Sequence, residues 1–216
     1  IENAFALEFF KKSDIKKSDF QGKLLIVRDV IEKYVNGIIE FDARSAPIKI
    51  HSLEKYHSLE VPLNDSKTKV ALGGIIDRID ELGEQIRIID YKTGRKNEPF
   101  RSVEELFASK PSERNSAVFQ TFLYAWLAGE EGDHTNLIPA LYYVRDIYSK
   151  NFDWRIYHTE NRKRYAVEDC NEFLPEFKER LLSVLIELFD NTIPFSQTED
   201  TTYCAKCPYN KICMRN

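Results

Sequence analysis

Asp77, Asp90 and Lys92 are the residues whose chemistry is hardest to explain as packing. They stand in "IIDRIDELGEQIRIIDYKTG", two isoleucine-rich runs on either side of Gly83-Glu84. Two such runs separated by a glycine and one further residue have the composition of a hairpin with a type II′ turn. Counting outward from Leu82 and Gln85 pairs 81 with 86, 80 with 87, 79 with 88 and 78 with 89, and sets Asp77 opposite Asp90. Opposed side chains lie roughly 4.5–5.5 Å apart at Cβ, where like charges repel. Such a pair asks for a cation. Side chains alternate along a strand, so Lys92 shares the face of Asp90 while Tyr91 points away.

A hard divalent ion suits two carboxylates, because Mg²⁺ takes oxygen ligands and is commonly held by one or two carboxylates, waters and a substrate phosphate. With a lysine beside it, the chemistry indicated is phosphodiester hydrolysis, the lysine orienting the water or stabilising developing charge. The alternative is structural: Asp90 and Lys92 form an ion pair, and Asp77 pairs with Arg78 or stands at a sheet edge. A loop one residue longer would put the aspartates on opposite faces.

Several elements must position these groups. Apolar residues recur at three- and four-residue intervals from Gly22 to about Phe41, which predicts a long amphipathic helix. Strands are expected over 48–63, "KVALGGIIDRIDEL" and "QIRIIDYKT". Helices follow at "SVEELFA" and "NSAVFQTFLYAWLAGE", strands at "LIPALYYVRDIY" and "FDWRIYH", and a last helix in "VEDCNEFLPEFKERLLSVLIELFDN", started or interrupted by Pro175. This order predicts an α/β or α+β domain with a central mixed sheet flanked by helices. One domain is expected over 1–216, with its core at about 45–190 and a cysteine-rich tail at 200–216.

The formal charge of −4 gives no global attraction to nucleic acid or anionic membranes, so such binding needs a local basic patch. Arg95, Lys96 and Arg101 form one candidate beside the acidic hairpin, and Arg162, Lys163 and Arg164 form another. No apolar run approaches the roughly 20 residues that span a bilayer. The N-terminus has no leader pattern, and the expected location is intracellular, in the cytoplasm. "IENAFALEFF" opens the chain without Met in an amphipathic pattern, as a piece of a longer protein would.

Cys204, Cys207 and Cys213 crowd the tail in a C-x2-C-x5-C spacing, with Cys170 alone upstream. Clustered cysteines in a reducing compartment point to metal or cluster ligation rather than disulfides. Zinc and iron–sulfur sites both want four ligands.

"GGIIDRIDELGEQIRIIDYKTGRK" followed by "QTFLYAW" resembles the PD-(D/E)XK nuclease superfamily, in particular the RecB-like and AddB-like domains of helicase–nuclease systems. The resemblance runs over about 55–130 and resumes at the cysteine-rich end. It implies a restriction-endonuclease-like core and a Mg²⁺- or Mn²⁺-dependent DNA exonuclease. It also implies a substrate of single-stranded ends, and a role as the C-terminal module of a recombination and repair protein with a helicase partner. An alternative is a catalytically incomplete module that binds DNA or braces a helicase. Residue by residue, the resemblance makes Asp77 and Asp90 the metal-binding acids, the Tyr91 main-chain carbonyl a further metal ligand, and Lys92 the catalytic lysine. Gln120 and Tyr124 match its Q-x-x-x-Y motif, four residues apart and so on one helix face. Together with Arg95 and Lys96 they are expected to contact substrate.

The family's metal-binding histidine stands on a helix before the first aspartate. None of His51, His57, His134 or His158 has that context, so the histidine is expected in a missing part of the protein. The resemblance further implies a 4Fe–4S cluster on Cys204, Cys207 and Cys213 with a fourth ligand from outside the chain. Cys170 is either a stand-in for that ligand or an incidental buried thiol.

Overall fold

The computed structural model describes the chain apart from residues 14, 17–18, 64–67, 96–98, 111–113, 133–135, 195, 199–200 and 215–216. Helix α1 (Glu2–Ala4) continues as a π-turn over Phe5–Phe9. Helix α2 (Lys23–Arg44) precedes strands β1 (Ile48–Pro62), β2 (Lys69–Leu82) and β3 (Gln85–Lys92). Helix α3 (Ser116–Glu131), strand β4 (Leu137–Tyr143), strands β5 (Tyr157–Glu160) and β6 (Lys163–Ala166), and helix α4 (Leu174–Phe189) follow.

The main sheet has the order β1-β2-β3-β4, antiparallel except for the parallel pair β3 and β4. This is the expected mixed sheet flanked by helices. The turn at Gly83 has φ +63 and Glu84 has no positive φ, as a type II′ turn requires. The register is the one counted from the sequence, Leu82 to Gln85 outward to Arg78 opposite Ile89. Because β3 and β4 are parallel, their connection must cross over the sheet, and α3 is that crossover.

Every residue of β4 is buried, as expected for a strand covered on both faces. On one face, Ile79, Ile86, Ile88 and Leu141 pack under α3 and α4 with Phe122 and Phe177. Helix α3 is apolar nearly all round and buries nine of its residues, the pattern of a core helix. On the other face, Ile38 and Phe41 of α2 pack on Ile89, Ala140, Tyr142 and Ile147.

Three stretches differ from expectation. "LIPALYYVRDIY" is strand only to Tyr143, then turns through Val144–Asp146 so that Ile147 reaches the α2 side of the sheet. "FDWRIYH" is continuous strand only from Tyr157; before it, Arg155 makes an isolated antiparallel bridge to Ala140, and the Asp153 carboxylate accepts the Arg155 N–H at 3.1 Å. "SVEELFA" forms a single 3₁₀ turn over Glu104–Phe107, ended by extended backbone at Ala108. The basic residues 162–164 lie in the β5–β6 hairpin, a second small sheet, with Arg162 in its turn and Lys163 and Arg164 in β6. Among the described residues no helix is long and apolar enough to cross a membrane.

Candidate active site

The ladder between β2 and β3 ends at Arg78 and Ile89. One step further, Asp77 reaches across instead, its Oδ2 accepting the Tyr91 N–H at 2.8 Å. In an antiparallel strand the N–H and C=O of one residue face the same neighbour. The Tyr91 carbonyl therefore lies on the edge of β3 that Asp77 approaches.

Asp90 and Lys92 stand on the α3 face of β3. Asp90 is buried, and burial raises its carboxyl above the usual carboxylate range; the Lys92 ammonium pulls it back and the Asp77 charge pushes it up again. Asp90 Oδ2 is 2.5 Å from Lys92 Nζ as an ion pair, yet no donor is aligned on it as a hydrogen bond. Lys92 Nζ donates to Gln120 Oε1 at 2.8 Å, and Gln120 Nε2 donates to the Tyr124 hydroxyl at 2.7 Å. Side chains from β3 and α3 thus form one chain: Asp90, Lys92, Gln120, Tyr124.

Gly74 leaves room for this arrangement, since a Cβ there would lie 2.9 Å from Tyr124 Cε1. Gly74→Ala is expected to displace that ring from Gln120 and to destabilise the fold by roughly 1–3 kcal/mol, the usual range for overpacking. Denaturant unfolding measures this, and an unchanged midpoint would remove Gly74 from the account.

The structural alternative for Asp77, a pair with Arg78, is not what is found. Arg78 points to the opposite face, where it pairs with Asp42 and Asp80. Glu54 is a neighbour that sequence counting missed. It lies on β1 between Leu53, opposite Arg78, and Lys55, opposite Ile76, which puts it level with Asp77. Burial and then the Asp77 charge raise its carboxyl. Its φ of +47 is left-handed, a conformation that disfavours a residue with a Cβ and that concentrates at functional sites. The missed signal was the β1–β2 register, which no short loop fixes in the sequence.

Arg95 joins Lys92, Gly94, Ser116, Gln120 and Tyr143 around a cavity of about 220 Å³. Lys96 and His134 lie outside the described residues. His57 is buried against Glu131, His51 pairs with Glu81, and His158 packs between Phe173 and Tyr165, so none of these three joins the acidic pair.

The acidic pair fits a hard divalent cation. Asp77, the buried Asp90 carboxylate, whose Oδ2 is paired with Lys92, and the Tyr91 carbonyl give an all-oxygen donor set. Such a set needs only two carboxylates. Among the described residues no three His, Cys, Asp or Glu side chains are gathered as a metal site, and this covers the tail thiols Cys204, Cys207 and Cys213. The described tail does not present a ready-made cluster site. Cys170 is fully buried in the core, and burial pushes its thiol far up, which matches the incidental-thiol alternative.

A family model for the PD-(D/E)XK nuclease superfamily matches residues 1–214. The chain belongs to the PD-(D/E)XK nuclease superfamily. No curated protein matches it. A solved structure described as "Crystal structure of SSO0001" is 15% identical, with a TM-score of 0.36, over 93% of this chain and 72% of that one. Asp77 and the run Asp90-Tyr91-Lys92 are the residues that the sequence pattern sets against the first acid and the D-x-K of that superfamily.

Proposed function

We propose that the chain is a Mg²⁺- or Mn²⁺-dependent deoxyribonuclease, an exonuclease acting on single-stranded ends within a helicase-associated recombination or repair protein. The observation that carries this reading is the convergence of Asp77 and Asp90 at the end of β3, with Lys92 held between Asp90 and Gln120. Superfamily membership supports nuclease chemistry and DNA as the substrate class.

In this reading Asp77, Asp90 and the Tyr91 carbonyl hold the cation. When bound, the cation neutralises phosphate charge and polarises the phosphoryl oxygen. Lys92 is the group that faces the attacking water and the negative charge growing on the phosphoryl oxygens. Its ammonium is fixed by the ion pair with Asp90 and the hydrogen bond to Gln120, so little reorganisation accompanies the reaction. Gln120 and Tyr124 are positioning residues acting through Lys92. The P–O bond to the incoming water forms as that water gives up a proton to solvent, and the bond to the leaving sugar oxygen breaks as that oxygen takes up a proton from solvent and leaves as a hydroxyl.

End-labelled single-stranded DNA incubated with Mn²⁺ tests the assignment. Cleavage by the wild type and its loss in Asp77→Asn is the expected result. Binding without cutting by the wild type would replace the enzyme with a DNA-binding module.

Asp90 adds a test that reads stability. A carboxyl whose folded pKa is raised stabilises the fold at low pH, and that contribution is lost as pH rises from the ordinary carboxylate range through the raised value. Above that raised value the metal-free protein carries an unfavourable charge that a cation relieves. Mn²⁺ is expected to raise the melting temperature. Asp90→Asn is expected to raise it without metal and to abolish the Mn²⁺ increment. An equal increment in both proteins would place the cation elsewhere.

A further inference from the structure

The small cavity at Lys92 is not isolated. Tyr143 stands in register with Lys92 on the adjoining parallel strand and also lines a second cavity of about 420 Å³. Asn115, the N-cap of α3, borders the larger cavity and Ser116 the smaller, so the two meet along the start of that helix. The larger cavity continues to Asn151, Arg155, Tyr157 and Arg164. Its volume lies within the roughly 300–1,000 Å³ typical of small-ligand sites.

The chemistry of its walls is specific. Arg155 forks onto Asp153, a lining residue, through bonds of 2.9 and 3.1 Å, which neutralises that carboxylate. The Tyr157 hydroxyl donates to the same carboxylate, and the Arg155 guanidinium lies 5.6 Å from the Tyr157 ring centroid. That ring is therefore held in place from two sides. Arg164 brings a second guanidinium to the described wall from β6, opposite Thr159. A fixed aromatic ring beside a cation suits a base and its phosphate.

We propose that this cavity binds the nucleotide next to the scissile phosphate, with Arg164 on its phosphate and Tyr157 against its base. The proposal rests on the nuclease reading above and names a substrate subsite within it. One strand threads from Lys92 past Tyr143 into the cavity. Because recognition is by stacking and charge, it is tolerant of sequence. The β5–β6 hairpin is thus part of the substrate path, although the acidic pair is on another sheet.

Fluorescence anisotropy with a labelled oligothymidylate tests this, using Asp77→Asn protein so that the strand stays uncut. Arg164 is exposed on a hairpin, so its removal leaves the fold intact. Arg164→Ala is expected to weaken binding about tenfold and to flatten the slope of log affinity against log salt by ~0.7, the loss of one single-strand phosphate contact. Tyr157→Leu is expected to weaken binding by a similar factor, since stacking on one aromatic ring contributes roughly 5- to 100-fold. Lys163→Ala, whose side chain alternates to the other face of β6, is expected to stay within about twofold. Parental affinity and salt slope in both Arg164→Ala and Tyr157→Leu would overturn the proposal. Wild-type cleavage of the same oligonucleotide in Mn²⁺ is run alongside. Cutting with unaffected cavity variants rejects only the cavity, whereas no cutting by the wild type rejects the nuclease reading.

Discussion

Lys92→Ala is expected to lower single-turnover DNA cleavage by about 10²–10³, the loss typical when a preorganised donor to developing charge is removed. The ammonium is placed by Asp90 on one side and by Gln120, backed by Tyr124, on the other. Lys92→Arg keeps the charge but not the compact ammonium geometry, so it should recover only part of the rate. Gln120→Ala should fall between wild type and Lys92→Ala, with kcat affected more than KM, because Gln120 acts through Lys92. A purely structural pair makes a different forecast: substitution would change stability and leave the rate of the folded protein alone. Lys92→Ala also leaves the buried Asp90 carboxylate without its cation, so rates must be compared well below each variant's melting temperature. A Lys92→Ala protein that is folded and cuts within threefold of wild type would exclude Lys92 from the chemistry.

The part of the site that was legible in the sequence is the part fixed by local geometry. A two-residue turn at Gly83-Glu84 determines register, and register determines that Asp77 and Asp90 approach each other. Four-residue spacing on a helix determines that Gln120 and Tyr124 share a face. Glu54 escaped because it depends on a long hairpin whose connecting loop sets no countable register, and on a left-handed backbone within a strand. The β5–β6 hairpin escaped for a related reason. Its turn uses Asn161 and Arg162 at φ of +50 and +62, and Arg162 is not a residue that announces such a turn. The basic run at 162–164 could consequently be read only as a second candidate patch, whereas pairing across the hairpin delivers Arg164 to a cavity wall.

A second group of charges was invisible as a unit, because its members come from four separate elements. Arg87 and Asp80, both fully buried, make two bonds of 2.7 and 2.8 Å across β3 and β2. Arg87 also donates to the Tyr142 hydroxyl of β4 at 3.1 Å, and that hydroxyl reaches Asp42 of α2 at 3.3 Å. Arg78 joins Asp42 to Asp80 and donates to the Tyr91 hydroxyl at 3.3 Å. These side chains occupy the face of β3 opposite Asp90 and Lys92, so they set the strand's position without touching the acidic pair.

Asp80→Ala removes the carboxylate shared by two buried guanidinium groups. Breaking a buried pair by deleting one partner typically destabilises by about 3–5 kcal/mol, because the remaining charge is left uncompensated. Against a total stability of roughly 5–15 kcal/mol, that is a large fraction. For a domain of this size it corresponds to a fall of roughly 6–20 °C in melting temperature. Replacing both partners with apolar residues, Asp80→Leu with Arg87→Met, removes the unpaired charge and is expected to recover most of the loss. The double variant also separates the two faces of β3. If the buried network only positions the strand, a refolded Asp80→Leu/Arg87→Met protein should cut DNA at a rate within a fewfold of wild type below its melting temperature. A drop comparable to that of Lys92→Ala would mean that the charges behind the sheet also shape the field at Asp90. Equal stability of Asp80→Ala and wild type would mean that Arg87 finds another partner, and the network would not be what holds β2 against β3.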